Sequence, residues 1–155
     1  RREPAAGAPL PPRLSLGQAQ EGEAQLSLKL AEALLALPHI TDVDLSANPL
    51  ADAEAALLCR ALLSSASLEL LHLAGTYAGD ACAAACAAAL DGGARARKGG
   101  SPSRLRALSL SGEVGDAGAA RLAKALPTCA ALRELWLGGA ITDEGAARIA
   151  AGLRE

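Results

Sequence analysis

The sequence predicts an α/β chain built from a repeated strand, turn and helix, and three observations predict it. Apolar residues one position apart recur as Leu14/Leu16, Val43/Leu45, Leu71/Leu73, Leu108/Leu110 and Leu135/Leu137. The second members of these pairs are separated by 29, 28, 37 and 27 residues, so one period carries about nine extra residues. After each of the last four pairs an Asp (Asp52, Asp80, Asp116, Asp143) opens an Ala-rich stretch, with an apolar residue six positions on and Leu four beyond that.

Each element follows from its spacing. Two apolar residues flanking one other residue lie on the same face of a strand, because side chains alternate with a period of two. An apolar residue three before the pair, at Ile40, Leu68, Leu105 and Leu132, extends the pattern to L-x-x-L-x-L in four units. The couples Leu58/Leu62, Cys86/Leu90, Leu122/Leu126 and Ile149/Leu153 have i, i+4 spacing and fall on one helical face. Leu30/Leu34 repeats the couple in the first unit without the Asp. Asp ahead of each couple is predicted to cap its own helix, its carboxylate accepting bonds from orphan N–H groups of the first turn. The helix Leu lies nine residues before the next strand pair in three junctions and 18 before it in the fourth, which places the insertion in the loop 91–104.

The organisation expected is one domain. A Pro-rich tail spans residues 1–12, and about five units follow over 13–39, 40–67, 68–104 with the inserted loop, 105–131 and 132–155. The net charge of −2 gives no excess of basic charge to draw the chain to nucleic acid. No apolar run reaches the ~18 residues of a membrane span. The expected location is therefore the cytoplasm, with the nucleus as the alternative. With no Met and Arg at position 1, the sequence is expected to be a piece of a longer polypeptide. A core of Leu and Ala without Phe buries few apolar atoms per residue, so modest stability is expected, each unit relying on its neighbours. The strand around Leu132 to Leu137 is expected to form a sheet edge that further repeats or a second copy would cover.

The unit Ile40-Thr-Asp-Val43-Asp-Leu45-Ser-Ala-Asn48-Pro-Leu50-Ala-Asp52 resembles the leucine-rich repeat family, in its ribonuclease-inhibitor-like subclass with repeats of 28 to 29 residues, and the likeness runs over residues 13–155. The resemblance implies a right-handed αβ solenoid, a horseshoe segment with a parallel sheet on the concave face and helices on the convex face. Nucleotide-binding innate immune sensors of the NOD-like receptor type and Ran GTPase-activating proteins share that pattern. The family carries an Asn after each strand; here only Asn48 holds the place and Thr76 substitutes in the next unit. The fourth and fifth units instead have Ser111-Gly112-Glu113 and Gly138-Gly139-Ala140, where looser loops are expected.

Candidates for chemistry are few. Cys86 aligns with Leu58, Leu122 and Ile149, and Cys59 with Ala31, Ala123 and Ala150, so both read as small core side chains. Cys82 lies near a helix start, where a dipole can lower a thiol pKa, but lacks a CxxC partner; Cys129 reads as an exposed turn residue. Cys82, Cys86, His39 and His72 do not have metal-ligand spacing, and no metal or cofactor is expected. No nucleophile accompanies His72 with an orienting carboxylate, and Gly92-Gly93 and Gly99-Gly100 do not lead into a P-loop Lys, so no enzyme is expected. The stretch 91–106 carries a net +4 from Arg95, Arg97, Lys98, Arg104 and Arg106 against Asp91, and reads as a solvated loop.

The residues predicted to face outward between the paired apolars are Ser15, Asp44, His72, Ser109 and Trp136; those before the pairs are Arg13, Asp42, Leu70, Ala107 and Glu134. Trp136 is the sole Trp and is the expected anchor of a protein-binding face tuned by Asp42, Asp44, Leu70, His72 and Glu134. The expected function is a non-catalytic protein–protein recognition module, a fragment of a larger sensor or scaffold, with a protein partner. Activation of a Ran-type GTPase and structural self-association are the alternatives.

Overall fold

The computed structural model of the chain describes residues 13–15, 33, 39–91 and 103–154. Five strands form one sheet in the order of the sequence: β1 (Arg13–Ser15), β2 (Asp42–Asp44), β3 (Leu70–His72), β4 (Ala107–Gly115) and β5 (Glu134–Ala140). Every neighbouring pair is parallel, and the registers align the apolar pairs: Leu14 with Val43, Val43 with Leu71, Leu71 with Leu108 and Leu108 with Leu135. A helix follows each of the last four strands: α1 (Asp52–Leu62), α2 (Asp80–Leu90), α3 (Asp116–Ala125) and α4 (Asp143–Gly152). Each helix packs on the next, and a 3-10 turn, Leu126–Thr128, holds Pro127 after α3. The fold is therefore mixed α/β with alternating elements, as the spacing predicts. The tail 1–12, the Leu30/Leu34 couple and most of the inserted loop, including Arg95, Arg97 and Lys98, lie outside the described residues.

The core lies between the sheet and the helix layer. Val43 and Leu45, Leu71 and Leu73, and Leu108 and Leu110 point inward at 1% exposure or less, and Leu58, Leu62, Leu90 and Leu122 meet them from the helices. Burying each such side chain contributes about 1.5–3 kcal/mol against the ordering of the chain. The last unit departs from this pattern. Leu132, Leu135, Leu137 and Ile149 are only half-buried, because no described element packs on the far side of β5 and α4.

Two expectations are corrected. The Asp residues do not cap their own helices: Ala51, Gly79, Gly115 and Thr142 hold the N-cap places, and each Asp begins its helix. Three of the four carboxylates instead reach across to the next helix. Asp52 accepts from the N–H groups of Gly79, Ala81 and Cys82 at 2.8–2.9 Å. Asp80 accepts from Gly115 and Gly118 at 2.8 and 2.9 Å, and Asp116 from the Thr142 N–H at 2.8 Å and hydroxyl at 2.6 Å. The orphan donors of one helix are thus satisfied by the preceding unit, which couples neighbours where a local cap would not.

The Gly-rich segments after β4 and β5 are not loose either. In the earlier units Asn48 donates to the Leu45 and Ser46 carbonyls, and Thr76 donates to the Leu73 carbonyl while accepting from Ala78, so each polar side chain closes its turn. Where those side chains are missing, backbone pairing takes over: β4 runs on to Gly115 and β5 to Ala140, with an irregular register between Ser111 and Val114. Glycine permits this closeness, since a Cβ on Gly112 would lie 2.5 Å from the Ala78 carbonyl oxygen, and Gly139 has φ of 138°.

Candidate functional site

The residues between the paired apolars and those just before them fall into two register rows running across the sheet. One row is Ser15, Asp44, His72, Ser109 and Trp136, each the register partner of the next; the other is Arg13, Asp42, Leu70, Ala107 and Glu134. Parallel pairing at ~4.8 Å per strand sets the spacing between successive side chains. The structure thereby brings Asp44, His72 and Trp136 into one line, as expected.

Exposure divides the candidates. Trp136 is 48% exposed, Glu134 is exposed, and Asp44, Leu70 and His72 are half-buried. Asp42 is only 9% exposed, which removes it from the accessible face that the sequence alone assigns it to. The rings of His72 and Trp136 lie 6.1 Å apart between centroids at an interplanar angle of 37°, although β4 runs between their strands. Ser109, the residue between them in register, is small enough to let them meet and is 6% exposed beneath them. Asp44, beside His72, accepts from the Ser46 N–H at 3.0 Å, which fixes one of its oxygens.

Beside the β5 end of this face lies a cleft of about 460 Å³, lined by Leu126, Cys129, Leu132, Glu134, Leu135 and Leu153 among others. It is the surface left by the half-open last unit. Cys129, expected to be exposed, is partly buried there. From the basic stretch, Arg106 pairs with Glu69 at 3.6 Å across exposed surface.

A second grouping has no counterpart in the sequence motifs. Cys59 on α1 and Cys82 and Cys86 on α2 are all 0% exposed, and their three sulfur atoms lie within 4.8 Å of one another. The Cys59 and Cys82 sulfurs are 3.3 Å apart. Hydrogen bonds from Cys59 and then Cys86 lower the Cys82 thiol to about 5, against burial and the Asp52 carboxylate, which act to raise it. Side-chain hydrogen bonding with Cys82 and then Cys86, together with burial, pushes Cys59 up. At Cys86 a bond with Cys59 acts downward, but the bond to Cys82, burial and the Cys82 charge outweigh it, and this thiol too is raised. The core reading of Cys59 and Cys86 agrees with their burial; what it missed is their meeting with Cys82. Only stacking adjacent units in register, rather than searching for local spacing, could have signalled it.

No helix among the described residues is long and apolar enough to cross a membrane. No protein-family model matches the chain, and no curated protein matches it. Among solved structures, one titled leiomodin-1 actin-binding site 2 is similar, with a TM-score of 0.68 and 21% identity over 82% of this chain and 72% of that one. At that identity the likeness bears on the fold.

Proposed function

We propose that this chain is a non-catalytic recognition module of the leucine-rich repeat kind, a right-handed αβ solenoid whose strands line a concave face that binds a protein partner. One observation carries the reading: consecutive strands present Asp44, His72, Ser109 and Trp136 in a single register row, with a half-exposed Trp braced by a His ring. A braced aromatic loses little freedom on binding, which is why such residues concentrate affinity. Glu134 and Asp44 flank it and favour a partner with basic or hydrogen-bond-donating groups at that point.

The similar solved structure is titled an actin-binding site, which makes actin the first protein to try. The test is affinity capture from cell extract, with purified actin run in parallel, comparing the native chain with a Trp136→Ala, Glu134→Arg double variant. Partners retained by the native chain and lost by the variant support the reading. Partners bound equally by both would overturn it.

The half-open last unit favours a second reading, in which the side of β5 that no described element covers packs against a second copy of the chain. A solution mass that rises with concentration, and falls back on a Leu135→Lys change, supports the second copy.

A further inference from the structure

We propose that Cys59, Cys82 and Cys86 form a three-sulfur site for a trivalent thiophilic centre, with arsenic(III) as the fitting chemistry. Three ligands at about 2.3 Å from one centre stand about 3.5–4.0 Å apart, depending on how pyramidal the centre is. The sulfur atoms, at 3.3 Å for the closest pair and within 4.8 Å for all, span that separation, so side-chain adjustment without backbone rearrangement brings them to it.

The surroundings decide which ion. Among the described residues the grouping has no fourth His, Cys, Asp or Glu ligand, and the sulfurs are sealed from solvent, whereas structural zinc takes four ligands. Soft monovalent copper accepts three thiolates, but the complex would hold two net negative charges among Ala and Leu side chains. The charged side chain that acts on Cys82 from outside the grouping is the Asp52 carboxylate, which opposes further negative charge. Three thiolates on a trivalent centre give a neutral complex, and neutrality is what an apolar pocket rewards. Arsenous acid reacts with the Cys59 and Cys86 thiols and the Cys82 thiolate by forming three As–S bonds and breaking three As–O bonds. The two thiol protons leave with two hydroxides as water, the third hydroxide leaves to solvent and is protonated there, and arsenic stays trivalent throughout. Entry requires the seam between α1 and α2 to open, so uptake is slow and follows local opening.

The test uses the full reduced chain with arsenite as the probe, read by native mass spectrometry, arsenic-edge X-ray absorption and thermal melting. The expected result is one arsenic per chain with three protons lost, three sulfur neighbours and no oxygen, and a higher melting temperature, all unchanged in Cys129→Ala. Cys86→Ala should lower arsenite affinity at least tenfold. Phenylarsine oxide, which takes two sulfurs, should still bind that variant through Cys59 and Cys82, and an unchanged circular dichroism spectrum should report that the variant folds. Oxygen neighbours, dependence on Cys129, no uptake by the folded chain, or a lowered melting temperature from capture of the unfolded chain would each overturn the site. Displacement of the arsenic by equimolar copper(I) or zinc would overturn the trivalent assignment.

Discussion

The rings of His72 and Trp136 meet at 6.1 Å over Ser109, which spans the gap between β3 and β5. Their backbones stand two strand spacings, roughly 10 Å, apart, so contact depends on the small residue at the middle position. Tilted rings at this distance attract one another by about 0.5–1.5 kcal/mol. Replacing Ser109 with Leu should wedge them apart: Trp136 fluorescence should shift as its environment changes, while the secondary structure seen by circular dichroism stays the same. An unaltered spectrum would show that the rings do not rely on the gap.

Asp52 should matter more to stability than its surface position suggests. It accepts three N–H bonds at the start of α2. Loss of a cap of this kind costs about 1–2 kcal/mol. Asp52→Ala should therefore lower stability to urea by that amount and increase hydrogen exchange at the Gly79, Ala81 and Cys82 amides more than at the start of α1. Protection lost first within α1 would restore the local-cap reading.

Asp116 ties pH to the junction of α3 and α4. The Thr142 hydroxyl and then its N–H hold this carboxyl below the usual carboxylate range. The folded value is depressed, so its stabilising contribution is fully present above the ordinary carboxylate value and fades as pH falls through the folded one. An NMR titration should show Asp116 titrating at lower pH than an unbonded Asp, and Thr142→Ala should move it upward. A titration unmoved by that change would break the link.

The strands and helices were legible in the residues because both rest on local periodicity: L-x-L fixes which side chains face inward, and Asp followed by i, i+4 apolars fixes where helices begin. The partners of those Asp carboxylates were not legible. A carboxylate at a helix start reads as a local cap until stacking places the next helix within reach. The sulfur grouping was hidden for a similar reason, since Cys59 and Cys82 are 23 residues apart and occupy unlike places in their units. Asp42 was misjudged because alternation gives the side of the sheet but not how deeply neighbours bury it.

The turn after β2 carries removable strain. Ala47 has φ of 58°, a left-handed conformation, while Gly75 holds the equivalent place one unit later at φ of 70°. A left-handed non-glycine residue costs about 1–2 kcal/mol, offset in part by the greater freedom glycine has when unfolded. Ala47→Gly should stabilise the chain by about 0.5–1 kcal/mol in denaturant melts; a loss of stability would mean that the Ala methyl makes a contact worth more than the strain.

The most direct measurement compares two apolar side chains of similar exposure on opposite layers, Trp136 at 48% on the sheet and Leu57 at 55% on α1. With a captured partner, Trp136→Ala should weaken binding by more than about 2 kcal/mol while Leu57→Ala leaves it within about 0.5 kcal/mol. Equal losses from the two, or a loss from Leu57→Ala alone, would place recognition away from the strand face and contradict the account.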